Sequence, residues 1–177
     1  VDLASGAVVG VEALCRWTDP DLGAISPTRF IPVAEDTGFI TELGNWVLDE
    51  AVAQAARWQD TGHALPVSVN VSSLQFQQPA FVHRVARVLQ DSRLPPELLE
   101  LELTESILVG DIDAVLLQLR ALAALGVRLA IDDFGTGYSS LGYLKRLPIH
   151  RLKIDRSFIQ RLPEDASDAA ITRAIVE

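Results

Sequence analysis

The chain has 177 residues, 49% of them hydrophobic and 22% charged, enough for one globular domain with a sizeable core, and this excludes a disordered segment. Fifteen Lys and Arg against 24 Asp and Glu leave a net charge of −9, which excludes a broad electrostatic grip on a nucleic acid polymer, so an anionic ligand would need local cations. No apolar run reaches the roughly 18 residues of a membrane span and no signal-peptide pattern opens the chain, so no membrane contact is expected of this domain.

The first apolar run, Ala7 to Leu14, predicts a strand. Cys15, the single cysteine, sits in the same strand-like stretch. It is expected to be a buried, inert thiol in a reducing, cytoplasmic compartment, even where a longer parent is membrane-anchored. Helical spacing follows at Leu43, Val47, Ala51, Ala55 and Trp58, then a strand at Val67 to Val71, then a helix carrying Phe81, Val85 and Val88. A third strand spans Leu99 to Leu103. The next helix, with Val115, Leu119, Leu122 and Leu125 on one face, is bracketed by Asp111 as cap and Gly126 as stop. Strands at Arg128 to Ile131 and Leu152 to Ile154 come next, and the acidic stretch PEDASD, 163–168, reads as a loop entering a last helix. Units of about 30 residues in this order are βαβ, hence a mostly parallel sheet under helices. From the absence of methionine, even at position 1, a fragment or excised domain is expected.

Side chains alternate faces along a strand. Val9, Val11 and Ala13 oppose Glu12, and Val67, Val69 and Val71 oppose Asn70. Leu99, Leu101 and Leu103 oppose Glu102, Leu129 and Ile131 oppose Asp132, and Leu152 and Ile154 oppose Lys153 and Asp155. An open sheet covered on both faces would read as near-continuous apolar runs. One polar face on five strands instead predicts a closed barrel of the (β/α)₈ kind, whose C-terminal strand ends carry the chemistry.

The stretch IDDFGTGYSSL, Ile131 to Leu141, sharpens that expectation, since adjacent carboxylates repel and raise each other's pKa. Glu12, Asn70, Glu102, Asp132 and Asp133 offer only oxygen donors, and His63, His83 and His150 fall outside the strand ends. Such a set suits Mg²⁺ or Mn²⁺ rather than Zn²⁺. A bound cation makes neighbouring carboxylates tolerable, and a shared Asp132 could bridge two ions about 3.5–4 Å apart. Taken alone, Asp132 and Asp133 also fit a turn or a helix cap. Lys153 is a salt-bridge partner of Asp155, a sheet-edge lysine, or a cation that orients water beside a metal site. Arg16 is a phosphate clamp or a solvated loop arginine. Trp17, Trp46 and Trp58 are expected in packing rather than as base-stacking platforms.

Together, VEALCRW with Glu12, VNVSS with Asn70, ELTES with Glu102 and Glu105, IDDFGTGYSSL and LKIDRSFI resemble the EAL-domain cyclic di-GMP phosphodiesterases over nearly the whole chain. The resemblance implies a modified TIM-type (β/α)₈ barrel with its first strand antiparallel to the rest. It also implies two Mg²⁺ or Mn²⁺ ions and hydrolysis of the bacterial second messenger cyclic di-GMP to linear pGpG. By the same resemblance Glu12, Asn70, Glu102 and Asp132 hold one metal, and Asp132 and Asp133 serve the second. Lys153 holds the attacking water, Glu105 anchors the loop after Asp133, and Leu14, Arg16 and Asp155 contact substrate. The barrel is expected to be incomplete at both ends. Residues 1–177 would be a partial EAL domain lacking the first strand and the last two with their helices, where an EGVE-like motif and a QG pair belong. The enzyme is then the intact parent, a signalling protein with fused sensor or GGDEF-type domains, and the fragment alone is expected to be inactive. A non-catalytic cyclic di-GMP receptor, or a dimerisation or docking module using a homodimer contact at Phe134 to Leu141, are the competing expectations.

Overall fold

Pro66 decides where the first strand begins. Proline has no N–H to give to a ladder, and pairing with the next strand starts where Val11 N donates to Pro66 O at 2.9 Å. In this computed structural model, which describes residues 1–108, 111–135 and 146–176, β1 is therefore Val11–Ala13 and shorter than the run Ala7 to Leu14 predicts. The main sheet continues with β4 (Val67–Val71), β5 (Leu99–Thr104), β6 (Arg128–Phe134) and β7 (Arg151–Ile154). Its order is β1-β4-β5-β6-β7 with every pairing parallel, so none of the five is the antiparallel strand that the resemblance implies.

The predicted alternation holds on β4, β5 and β6, whereas Val9 lies outside β1 and is 49% exposed. Val67, Val69 and Val71, Leu99, Leu101 and Leu103, and Leu129 and Ile131 are buried in one apolar cluster. Covering them are residues of α2 (Ile40–Asp60), α4 (Phe81–Ser92) and α5 (Ile112–Ala124), among them Leu48, Val52, Val85, Leu89, Leu116 and Leu119. Removing one such leucine to alanine costs about 2–5 kcal/mol. The residues between them (Glu12, Ser68, Asn70, Glu100, Glu102, Asp132, Arg151, Lys153) are left to the other face, the concave side of a curled half-barrel.

Four elements were not legible beforehand. Between β1 and α2 the chain makes an antiparallel hairpin, β2 (Trp17–Asp19) and β3 (Gly23–Ile25). The Asp19 carboxylate closes its turn by accepting from Asp21 N and Leu22 N, both at 2.9 Å. It then forms α1 (Pro27–Asp36), opened by Ser26 as N-cap and a proline in the first turn. The short α3 (Ser73–Phe76) follows β4 with Ser72 as cap. Asp111 caps α5 as expected, through Asp113 N and Ala114 N at 3.1 Å, and Gly126 follows with φ +90°.

The end of the chain corrects one boundary. Helix α6 is Ala166–Val176, so the second half of PEDASD is already helical, and Asp165 accepts from Asp168 N at 3.2 Å at its start. Cys15 is corrected as well: it lies past the end of β1 and is only partly buried. Of the tryptophans, Trp17 packs edge-on against Phe30 with ring centroids 5.9 Å apart, while Trp46 remains exposed. No helix among the described residues is long and apolar enough to cross a membrane.

Candidate active site

At the C-terminal ends of the strands, β1, β5 and β6 present three carboxylates to one ammonium. Lys153 Nζ on β7 is hydrogen-bonded to Glu102, lies 3.0 Å from Asp132 Oδ2 and 3.9 Å from Glu12 Oε2. Asn70 on β4 closes the group by donating from Nδ2 to Glu12 Oε1 at 2.7 Å. Both local alternatives for Lys153 are thereby corrected. Its ion pairs are with Glu12, Glu102 and Asp132 rather than Asp155, and although β7 is an outer strand of the described sheet, the side chain points inward.

Backbone geometry explains how two consecutive aspartates sit there. The β6–β7 ladder pairs Ile131 with Leu152 and next Phe134 with Ile154, so Asp132 and Asp133 together lie opposite Lys153 in a bulge. Asp133 adopts φ +52°, a left-handed conformation that Asp tolerates better than most residues. These are neither turn nor helix-cap residues, as either aspartate alone would allow; both belong to the strand.

Just beyond, the buried Glu105 carboxylate accepts from Gly135 N at 3.0 Å. At Gly135, φ is +101° and an added Cβ would come within 2.8 Å of the Phe158 ring, so only glycine fits. The segment to Leu141 expected at a homodimer contact lies, from residue 136 on, outside the described residues.

Electrostatically the group is short of positive charge. Burial pushes the Glu102 carboxyl above its ordinary range, reinforced by Glu12 and opposed by Lys153. Burial pulls Lys153 down, but its hydrogen bonds to Glu102 and Asp132 prevail and the ammonium is held above the usual lysine range. Asp133 is pushed up by burial and by the neighbouring Asp132 and Asp155 charges. Asp155 is lowered, chiefly by hydrogen bonding with the Ser157 side chain and next by the Ser157 N–H, which it accepts at 2.9 Å.

A divalent cation suits this donor set, which is all oxygen and carries three carboxylates for one ammonium. Among the described residues, no three His, Cys, Asp or Glu side chains form a ready-made metal cage, because the carboxylates are gathered around Lys153 Nζ instead.

A cavity of about 310 Å³ opens beside the group, lined by Asn70 and Glu102 together with Leu14 and Arg16. Arg16 is exposed and its guanidinium donates to Cys15 O at 3.0 Å. A larger groove of about 650 Å³ lies next to it between the hairpin, α1 and α2, but its lining is mainly apolar, with Trp17, Phe30, Phe39 and Trp46, and includes no carboxylate.

Sequence reasoning missed a second polar layer, one step down the same face. Glu100, 2% exposed, accepts from Ser68 Oγ at 3.0 Å and Arg151 Nη1 at 2.8 Å, and its other oxygen lies 3.7 Å from Arg128 Nε. The signal was present: Ser68, Glu100 and Arg151 each stand two residues before Asn70, Glu102 and Lys153, the spacing of one strand face.

A family model described as the EAL domain matches residues 1–177. The chain is 53% identical over 173 residues to the bifunctional diguanylate cyclase/cyclic di-GMP phosphodiesterase MucR of Pseudomonas aeruginosa, a match covering 97% of this chain and 25% of MucR. It is 40% identical over 176 residues to the cyclic di-GMP phosphodiesterase PA2567 of the same organism, covering 99% of this chain and 30% of that protein. The chain thus spans about a quarter of the length of these relatives. The solved structure of the MucR phosphodiesterase in complex with c-di-GMP superposes with a TM-score of 0.91 at 53% identity, over 95% of this chain and 68% of that one.

Proposed function

The chain belongs to the EAL domain family, and from that premise we propose that it is the greater part of a metal-dependent phosphodiesterase domain. Its substrate is cyclic di-GMP, which it hydrolyses to linear pGpG as the output module of a signalling protein. The observation that carries this reading is the convergence of Glu12, Glu102 and Asp132 on one ammonium at the strand ends. Beside them lies a cavity that Leu14 and Arg16 also line.

Glu12, Asn70, Glu102 and Asp132 would hold one Mg²⁺ or Mn²⁺, and Asp132 with Asp133 the second. When bound, such ions supply positive charge that acidifies water and offsets the charge of the phosphodiester. Lys153 has three donors and no acceptor, so it orients the attacking water by donating to its oxygen and stabilises the anionic transition state. Arg16 offers a two-pronged contact to a phosphate oxygen, Leu14 packs against the nucleotide, and Asp155 contacts it from the β7 side. Glu105, by holding Gly135 N, keeps the turn after Asp133 in place. The catalytic unit includes closing strands beyond β1 and β7, each of which pairs on one side only among the described residues. The protein carrying it is cytoplasmic at this domain and is fused to sensor or GGDEF-type domains.

Hydrolysis of cyclic di-GMP is followed by chromatography with Mg²⁺, Mn²⁺, Ca²⁺ or chelator, using residues 1–177 and a polypeptide extended through the closing strands. Turnover by the extended form with Mg²⁺ or Mn²⁺, little by residues 1–177, and inhibition by Ca²⁺ with binding retained are expected. Binding without turnover under every metal would identify a receptor instead, and turnover in chelator would overturn the metal-dependent reading.

A further inference from the structure

The two ion pairs that leave β7 run side by side across β6. Arg151 reaches Glu100 and Lys153 reaches Glu102, and both carboxylates are on β5, which shares no ladder with β7. Between the pairs lies Ala130, the inward residue of β6, fully buried and too small to obstruct either. Backbone pairing holds β7 to β6 at Arg151 and Leu152, helped by His150, whose N–H donates to Leu129 O at 2.8 Å and whose Nδ1 accepts from Leu129 N at 3.2 Å. It becomes irregular opposite Lys153, where Asp132 and Asp133 form the bulge. The ladder therefore does not carry the height and tilt of β7 through to Lys153 relative to β5.

We propose that Arg151 and Glu100 are positioning residues for Lys153, their ion pair acting as a strut from β7 to β5 that sets where the ammonium meets Glu102 and Asp132. This rests on the hydrolytic role proposed for Lys153. The residue types fit the division of labour: arginine gives the strut a planar, permanently charged fork, whereas lysine gives the site a compact ammonium with rotatable donors. Ser68 joins the two layers, since its hydroxyl bonds Glu100 at 3.0 Å and also interacts with Glu102. Arg128 is the internal control, because it approaches the same carboxylate at 3.7 Å from β6 and ties nothing to β7.

The test compares Arg151→Ala, Arg151→Lys and Arg128→Ala in the full-length polypeptide, with folding checked by circular dichroism. Arg151→Ala should lower kcat about tenfold or more while leaving KM for cyclic di-GMP within about twofold, as expected when only transition-state contacts are displaced. Arg151→Lys should recover most of that loss, and Arg128→Ala should leave kcat within about twofold of wild type. Equal kcat losses in Arg151→Ala and Arg128→Ala, or a change confined to KM, would overturn the strut. If Arg151→Ala does not fold, Arg151→Gln takes its place in the same comparison.

A second readout is independent of activity. The Lys153 ammonium resonance of the full-length polypeptide can be assigned in a nitrogen-15 NMR spectrum by its loss in Lys153→Arg. A protected signal in wild type and Arg128→Ala that disappears in Arg151→Ala supports the strut. A signal that behaves alike in both variants refutes it. If the wild type binds cyclic di-GMP without cutting it, the hydrolytic reading fails and this spectrum alone decides the positioning.

Discussion

Glu100 and Glu102 are two residues apart on one strand, face the same way and are equally buried, at 2% and 3% exposure, yet their surroundings are opposite. Two arginines and a serine hydroxyl attend the single carboxylate of Glu100. Glu102 shares a single lysine with Glu12 and Asp132. The lower layer has its counter-charge built in, although Glu100 Oε2 accepts no hydrogen bond among the described residues. The upper layer is left with surplus negative charge that a bound cation can neutralise. The two layers teach that burial alone does not mark a functional carboxylate; the balance of charge around it does.

The largest effect expected from breaking this contrast is on stability. Glu100→Ala should lose about 3 kcal/mol in denaturant unfolding, the low end for one partner of a buried ion pair. The arginines left behind are 39% and 45% exposed and can turn to water. Glu102→Gln should do the reverse, leaving metal-free unfolding almost unchanged. It should cut hydrolysis by the extended polypeptide at least about 100-fold, some 2.7 kcal/mol in the barrier. If Glu102→Gln unfolded the chain and Glu100→Ala did not, the assignment of the layers would be reversed.

Ligand linkage separates the layers next. Mg²⁺ or Mn²⁺ at about 100 times its dissociation constant should add about 2.7 kcal/mol to unfolding. That gain should persist in Glu100→Gln and vanish in Asp132→Ala. Thermal melts with and without chelator measure it, and a gain surviving Asp132→Ala would remove the metal from the upper layer.

The smallest expected effect is the pH dependence of the metal-free chain. The folded-state pKa of Glu102 lies above its ordinary 4.5, so the native state binds the proton more tightly than the unfolded one. Its stabilising contribution is fully present below pH 4.5 and is lost as pH rises through the folded-state value. Relative to Glu102→Gln, the wild type should lose stability as pH rises through this window, the difference between the two profiles isolating the one carboxyl. A wild type that gains stability relative to the variant would contradict the sign.

Much of this was readable from local pattern. Alternation in Val67 to Val71, Leu99 to Leu103 and Arg128 to Ile131 is a two-residue period that neighbouring residues alone enforce, so the strands, their buried face and the polar residues opposite it follow without any long-range knowledge. The caps of α5 are local for the same reason. The hairpin of β2 and β3 escaped because its strands are three residues each, too short for a periodic signal. What the chain could not reveal by itself was who meets whom. Lys153 pairs with Glu102, 51 positions away, and with Asp132, 21 away, rather than with the nearby Asp155. The bulge that sets Asp132 and Asp133 opposite it exists only because β6 and β7 pair with unequal numbers of residues. Strand composition is settled residue by residue, whereas register, stagger and bulges are properties of two strands at once. Only the folded sheet decided that Glu100 would find two arginines and Glu102 one shared lysine.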